Sequence, residues 1–499
     1  MGVFDLGASG GRFFAATVDN GKMTLDEIHR FDHHPHAVCV SSQTAPNQTH
    51  LYWDCFAIYN GLMEGLRRAA QRYRIVSLGI DTWGTDGTWY APCGEPLGRM
   101  FCYRDHRLDR VREELFRRVS ERILFDRTGI PSHPFNLINQ IFWATRNQPE
   151  IVSSAEVFLP VPSILYYHLT GEKIADTTWL STTQCMKAGR GEYCNENFHE
   201  LDLPVEKMPR IGRPGTRLGS VLSGVAKELE AKPFEVVLTA THDTACAFVT
   251  APVAPNRATL IVSSGTWSLV GINIPEPIVT GDVFHSRFAN EGGVEGIRFL
   301  NNMMGTWLLQ ELRRVWAEQD GRAMIWPELE QMAAQAGPAK SVIDPDDLSF
   351  YNPSDMAEAI ISFCRRTGQA LPAGRPDVVR LAMESLALKT AWACRTVERL
   401  TGLHIDAVHI VGGGGKSAML SQFIANATGL PVRVGPYDAT AVGNALVQAV
   451  ALGWFGSCEE GRRVVASSFE WAEYQPSEQG YWSEATGRFD KLLSSLKNR

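Results

Sequence analysis

The chain has 499 residues and carries 48 Lys and Arg against 55 Asp and Glu, a formal charge of −7. That length argues for two or three domains rather than one core, and an acidic balance without a basic stripe excludes a nucleic-acid surface. Apolar residues at 44% and charged residues at 21% are ordinary for a globular protein, and no stretch approaches the roughly 18 apolar residues of a membrane span.

Strands are expected over 3–6, 12–18 and 23–31 as a meander. A helix follows over 56–73, with Phe56, Tyr59, Leu62, Met63 and Leu66 on one face. His29, His33, His34 and His36 resemble a metal tract, but Pro35 interrupts any regular presentation and no acidic or cysteine partner stands at ligand spacing. A loop of solvated histidines is therefore expected. A buried strand is expected over 75–81, with a strand 88–91 pairing beside it, and helices over 106–122, 137–147 and 162–169. The basic segment 104–112 reads as a solvated helix face. The apolar run 234–240 is a buried strand, and it ends in Thr241-His242-Asp243-Thr244-Ala245.

The same grammar restarts near Ala258: strands over 258–263 and 267–272, a helix over 304–317, a long helix over 377–401 and a strand over 407–411. Helix 417–428, strand 432–434 and helix 439–452 complete that half, and 484–496 is a terminal helix. Two halves that each open with strand, polar turn and strand imply a duplicated α/β unit. The boundary is expected between Asp243 and Arg257, where Pro252 and Pro255 punctuate a loop. The expected division is 1–248, 249–458 and a tail, 459–499, that packs back on the first domain. Ten cysteines without a C-x-x-C or regular spacing indicate neither a zinc ribbon nor a disulfide scaffold. With no signal peptide preceding the fold, a reducing cytoplasm is the expected compartment. Leu6 stands where myristoylation of Gly2 needs Ser or Thr.

Several segments carry chemistry. Asp243, delivered at a strand end with a histidine before it and threonines on both sides, is placed to take a proton from a substrate hydroxyl. In Asp5-Leu6-Gly7-Ala8-Ser9-Gly10-Gly11-Arg12 the small residues let backbone N–H groups approach an anion, and Arg12 adds charge. Asp5 is positioned to hold a hydrated magnesium ion through water. Ser263-Ser264-Gly265-Thr266-Trp267-Ser268 occupies the equivalent turn of the second half and suits the terminal phosphates of a nucleotide. Val411-Gly412-Gly413-Gly414-Gly415-Lys416-Ser417 is not a P-loop, because Ile410 stands where that loop needs glycine; it offers flat backbone for an adenine or ribose. Gly79-Ile80-Asp81-Thr82-Trp83-Gly84-Thr85-Asp86 brings carboxylates and an aromatic face to a strand end, the means of sugar recognition, with a glycosidase pair the weaker alternative. Asn290-Glu291-Gly292-Gly293 and Asn301-Asn302 stand where amides cap a helix, and Asn302 is also able to reach a substrate.

This set, with Pro134-Phe135-Asn136 and the run from Gly435-Pro436 to Asn444, resembles the FGGY family of carbohydrate kinases, over residues 3 to 456. Within the family the motifs are similar to the branch acting on L-rhamnulose. The resemblance implies two ribonuclease-H-like domains of the actin and hexokinase ATPase type, α/β in class, flanking a catalytic cleft. It implies Asp243 as general base, with His242, Thr244, Gly84 and Asn302 at the sugar; Trp83 joins them as the aromatic. ATP is then held by Ala8, Ser9, Gly10, Gly11 and Arg12, by Thr266, Gln310 and Gly414, with magnesium required. The expected partners are a ketose and ATP, with no nucleic acid and no membrane; monomer and homodimer stay open. The leading expectation is phosphorylation of L-rhamnulose at O1. Another ketose (L-fuculose, a pentulose or a tetrulose) and a catalytically silent sugar or nucleotide sensor are the alternatives. Two departures from the branch stand out: Gly10 where a second serine is usual, and Gly87 where an aromatic is usual.

Overall fold

A computed structural model of the chain describes residues 1–41, 47–251 and 258–497. The loop of Pro252 and Pro255, on which the sequence sets the domain boundary, lies outside the described residues. Packing divides the chain into two compact units. The first comprises Met1–Pro252, Asn273–Phe299 and Ala439–Ser468; the second comprises Val253–Ile272, Leu300–Asp438 and Phe469–Arg499.

The first unit is built on strands β1 (Gly2–Gly7), β2 (Gly10–Asp19), β3 (Lys22–Asp32), β4 (Ser77–Thr82), β5 (Thr216–Ser220) and β6 (Glu235–Leu238), in the order β5-β6-β4-β1-β2-β3. β1, β2 and β3 form the expected antiparallel meander, β4 lies parallel to β1, and β6 lies parallel to β4. β4 is buried throughout and β1 up to Leu6, as parallel strands covered on both faces should be. The helix Cys55–Arg72 starts at Asp54, whose carboxylate accepts from Ala57 N at 2.9 Å. It buries Ile58, Leu62, Met63 and Leu66 against the sheet. A Cβ at Gly61 or Gly65 would stand 2.4 or 2.5 Å from Phe31 and Phe13, so these glycines set the close approach of helix and sheet.

The second unit repeats this pattern with β7 (Ala258–Ser264), β8 (Trp267–Ile274, of which Trp267–Ile272 lie in this unit), β9 (Ile297–Met304, of which Leu300–Met304 lie in this unit), β10 (Ile405–Val411), β11 (Val432–Val434) and β12 (Ala472–Tyr474), in the order β9-β8-β7-β10-β11-β12. β7 and β8 form an antiparallel hairpin, β10 lies parallel to β7, and β11 parallel to β10. The 27-residue helix Arg375–Thr401, capped by Gly402 at φ 71°, is the long helix of the sequence.

Several local expectations need correction. The strand Gly87–Tyr90 pairs with Val157–Pro160, not with β4. The helix expected over 106–122 is broken into a 3-10 turn, His106–Leu108, and helices Val111–Phe116 and Glu121–Thr128, the last capped by Ser120. Its basic face is not solvated at Arg107, whose side chain is 3% exposed. The Arg107 guanidinium lies 4.1 Å from the Phe101 ring centroid and donates to Gln140 Oε1 at 3.0 Å. Packing also crosses the contiguous division of the sequence. Helices Ala439–Ala451 and Cys458–Ser468 belong to the first unit, where Ser468 Oγ accepts from Met23 N at 2.8 Å. The terminal helix Gln479–Lys497 belongs to the second, where Tyr481 bonds Glu384.

Candidate active site

In the first unit, the β1–β2 hairpin closes through the Gly7–Gly10 pair, leaving Ala8 and Ser9 as its tip. Asp5 and Arg12 face each other across the ladder, and Arg12 Nη2 donates to Asp5 Oδ2 at 2.6 Å. His33 is not a solvated histidine. It is 8% exposed, its Nε2–H donates to Gly7 O at 2.8 Å, and its ring stacks on Trp83 at 5.7 Å. One residue of the supposed metal tract therefore pins the anion-sized turn. Gly10 and Gly11 are packing positions. A Cβ at Gly10 would lie 2.8 Å from Phe31 O, and one at Gly11 2.4 Å from the Phe31 ring.

β4 delivers Asp81, Trp83, Gly84 and Asp86, and here the sequence reading is corrected. Asp81 and Asp86 are both fully buried; the Asp86 carboxylate is occupied inside the fold, and that of Asp81 at Oδ2, while its Oδ1 is buried without a hydrogen-bond partner among the described residues. Asp81 Oδ2 accepts from Asn444 Nδ2 at 2.6 Å. Asp86 Oδ2 accepts from Trp53 Nε1 at 2.7 Å, Trp83 Nε1 at 3.2 Å and Tyr103 N at 3.1 Å, while Oδ1 accepts from Gln140 Nε2 at 3.2 Å. Burial lifts the Asp86 carboxyl to about 6 against the pull of these donors. Trp83 is packed between His33 and Trp53, whose ring centroid is 4.9 Å away; it shapes the strand end instead of offering an open face. Gly84 is open on one side, and a Cβ there would stand 2.7 Å from His242 Nε2. Gly87 lines a recess of about 360 Å³ with Tyr52, Phe101, Arg107, Gln140 and Phe158. A Cβ at Gly87 would meet Leu159 O at 2.4 Å and the Phe158 ring at 2.6 Å, so Phe158 already fills the side-chain position.

β6 leads to Thr241, His242 and Asp243. Thr82 N donates to Thr241 O at 2.8 Å, extending the parallel pairing to the strand end. Thr241 Oγ1 bonds the buried Asp176, and His242 N donates to Thr178 Oγ1 at 3.3 Å. Asp243 opens the helix Asp243–Val249, and its Oδ1 accepts from Thr244 N at 2.6 Å and Thr244 Oγ1 at 3.1 Å. Among the described residues no donor reaches Asp243 Oδ2. Burial, with Asp5 adding to it, raises the Asp243 carboxyl to about 6; Thr244 and Arg298 oppose the rise. His242 lies beside it, with Nε2 at 3.4 Å from Asp243 Oδ1, while Nδ1 faces Arg298 Nη2 at 3.0 Å and Glu291 at 3.6 Å. Asp5, Asp81 and Asp243 sit at the ends of adjoining strands, β1, β4 and β6. Burial first, and then Asp5, hold the Asp81 carboxyl well above the usual range.

The second unit gathers the other set. Gly265 O at the β7–β8 turn accepts from Thr306 N at 2.9 Å and Thr306 Oγ1 at 2.8 Å. Thr306 precedes the helix Trp307–Asp320, which carries Gln310; Gln310 lies 3.3 Å from Thr266 Oγ1 and donates to Thr306 Oγ1 at 3.1 Å. The glycine run folds onto the same turn. Gly412 adopts φ 87°, and a Cβ at Gly414 would fall 2.1 Å from Ser264 Oγ. Thr266, Gln310 and Gly414 are thus brought to one surface, with Asn302 on β9 in the same unit. Asn290 and Asn302 do not cap helices: both lie in strands, and Asn290 bonds Ile278 N and O at 2.7 and 3.0 Å. Sequence reasoning missed Arg298. Its signal was an arginine alone inside the apolar run Ile297-Arg298-Phe299-Leu300.

Among the described residues no three His, Cys, Asp or Glu side chains converge as a metal site, and no helix is long and apolar enough to cross a membrane. Residues 1–250 match the N-terminal domain, and residues 260–452 the C-terminal domain, of the FGGY family of carbohydrate kinases. A rhamnulokinase from Bacteroides thetaiotaomicron is 35% identical, covering 98% of both chains. One from Oceanobacillus iheyensis is 33% identical, covering 94% of this chain and 97% of its own. The crystal structure of a ligand-bound xylulose kinase from Lactobacillus acidophilus shares the fold at a TM-score of 0.79 and 14% identity, covering 100% of this chain and 98% of that one.

Proposed function

The chain belongs to the FGGY family of carbohydrate kinases, and on that premise we propose that it phosphorylates L-rhamnulose at O1, with Asp243 as the general base. It is a sugar kinase that uses ATP. The sugar assignment is supported by relatives named rhamnulokinase that cover nearly the whole chain. In the proposed step the sugar O1–H bond breaks as O1 bonds the γ-phosphorus. The bond from that phosphorus to the β,γ-bridging oxygen breaks, ADP leaves, and the proton passes to Asp243.

The observation that carries the base assignment is the asymmetry of the Asp243 carboxylate. Thr244 fixes Oδ1 through two hydrogen bonds, leaving Oδ2 to receive a proton. Aspartate is a weak base, but in a loose phosphoryl-transfer transition state positioning of the hydroxyl counts for as much as basicity. His242, Thr244, Gly84 and Asn302 are assigned to the sugar. Ala8, Ser9, Gly10, Gly11 and Arg12 are assigned to phosphate oxygens, and Thr266, Gln310 and Gly414 to the nucleotide. A hydrated magnesium ion needs only one or two protein carboxylates beside phosphate oxygens, and Asp5, at the β1 end and paired with Arg12, is the carboxylate assigned to it. Asp5 would hold hydrated magnesium through water, and that ion neutralises triphosphate charge. We place the protein in the cytoplasm, since all ten cysteines are free thiols.

An ADP-release assay with ATP, magnesium and a ketose panel tests the reading. The panel holds L-rhamnulose, L-fuculose, the ribuloses, the xyluloses and erythrulose. A clear preference for L-rhamnulose is expected. Preference for a shorter ketose would overturn the sugar assignment, and full turnover in Asp243→Asn would overturn the base.

A further inference from the structure

We propose that Arg298 and Glu291 are positioning residues for phosphoryl transfer, which hold His242 neutral with its only ring proton on Nε2, as a fixed donor toward Asp243 and the sugar. This deepens the kinase reading and rests on it for the role of Asp243.

Arg298 is fully buried on β9. Its Nε donates to Gly292 O at 2.9 Å, its Nη2 to His242 Nδ1 at 3.0 Å, and the Glu291 carboxylate compensates its charge at 3.1 Å. A guanidinium has five donors and no acceptor, so the ring nitrogen facing it must present a lone pair. His242 Nδ1 therefore carries no proton, and the neutral ring carries its proton on Nε2. An imidazolium would aim an N–H at the guanidinium and place two cations in one buried pocket. Burial and the neighbouring Arg298 charge accordingly drive the His242 pKa well below its usual value.

The geometry then defines what His242 can do. Its Nε2–H stands 3.4 Å from Asp243 Oδ1 and opens on the side where Gly84 has no side chain. His242 is not a second base; it can only donate. Thr244 supplies both hydrogen bonds to Oδ1 and the His242 N–H lies on the same side at 3.4 Å, which leaves Oδ2 as the oxygen that receives the sugar proton. The competing arrangement puts the proton on Nδ1 and directs it at Glu291 Oε2, 3.6 Å away. In that case Arg298 would have no acceptor in the ring.

Nitrogen-15 NMR of the full chain labelled on histidine tests this, with His242→Gln identifying the His242 signals. The expected wild-type result is a protonated Nε2 and an unprotonated Nδ1, unchanged between about pH 6 and pH 8. A protonated Nδ1, or titration in that range, would overturn the proposal. In Arg298→Met the lock should be lost, and kcat should fall by about 100-fold while the KM for ATP stays within about twofold. Arg298→Lys, which keeps a charge and a donor, should restore the tautomer and at least about tenfold of kcat. It also supplies the comparison if the methionine variant does not fold. Wild-type tautomer with wild-type kcat in Arg298→Met would overturn the proposal, and so would an altered tautomer with wild-type kcat in Arg298→Lys. A locked His242 in a chain that phosphorylates no ketose would instead sink the kinase reading and leave the lock standing.

Discussion

Asp243 and Arg107 show how burial changes what a charged side chain does. Asp243 is about 6 when folded, raised by burial and by Asp5, and only its ionised form accepts a proton. Activity should therefore be flat above that value and fall as pH drops through about 6, which a kcat/KM profile measured against pH checks. A limb near the ordinary aspartate value of about 4 would exclude Asp243 as the titrating base. Arg107 sits in the first unit 3.6 Å from the Asp105 carboxylate; burial lowers its pKa, and the charges of Asp105 and Asp86 oppose that fall. Arg107→Met should destabilise the chain by about 1–3 kcal/mol, because it leaves buried Gln140 Oε1 without its donor while Asp105 keeps Leu51 N and His50; a thermal midpoint near wild type would contradict this. Local sequence made Asp243 readable, since a carboxylate at the end of an apolar run is a one-dimensional signal. It misled for Arg107 and His33, because a basic cluster and a histidine tract look alike whether or not aromatic rings close over one member. Trp143 and Trp53, which do so, lie elsewhere in the sequence.

At the scale of elements, the helix Ala439–Ala451 does the most to organise the first unit. Asn444 donates to Asp81 at 2.6 Å, Gln448 donates to Gly2 O at 2.9 Å and accepts from Ser77 Oγ at 2.7 Å. One helix thereby ties β1 to β4 behind the strand ends that carry Asp5 and Gly84. A Cβ at Gly443 would fall 1.8 Å from Cys246 O, in the helix that Asp243 opens. Gly443→Ala should thus force the two helices apart, cost about 1–3 kcal/mol by overpacking and lower kcat more than the KM for ATP. Calorimetry and steady-state kinetics on the same variant check both parts; unchanged stability would mean that the helices part freely. The apolar periodicity of 439–452 gave this helix its bounds to within a residue. Nothing in the periodicity told which sheet it would cover, since an apolar face fits any complementary surface. The helix expected over 106–122 failed because Ser120 caps a new helix, its Oγ accepting from Ile123 N at 3.3 Å, inside a run whose apolar period looks unbroken.

For the whole molecule, the first unit is assembled from three separate stretches of chain. A fragment of residues 1–250 lacks Arg298 and Glu291, which face His242, and Asn444 and Gln448, which bond Asp81 Oδ2 and Ser77. That fragment should show no cooperative thermal transition by circular dichroism, and a sharp native-like transition would refute the prediction. The sequence by itself determined the strand–turn–strand grammar of both halves, the turns at Asp5 and Ser263, and the strand that delivers Asp243. Each of these is local, written in hydrophobic period and small residues within a dozen positions. Only the tertiary structure decided which carboxylates are spent inside the fold, why Gly10 and Gly87 are glycine, and that Arg298 faces His242. Those depend on side chains separated by tens to hundreds of residues, where burial and hydrogen-bond partners are set by three-dimensional packing and leave no periodic trace in the chain.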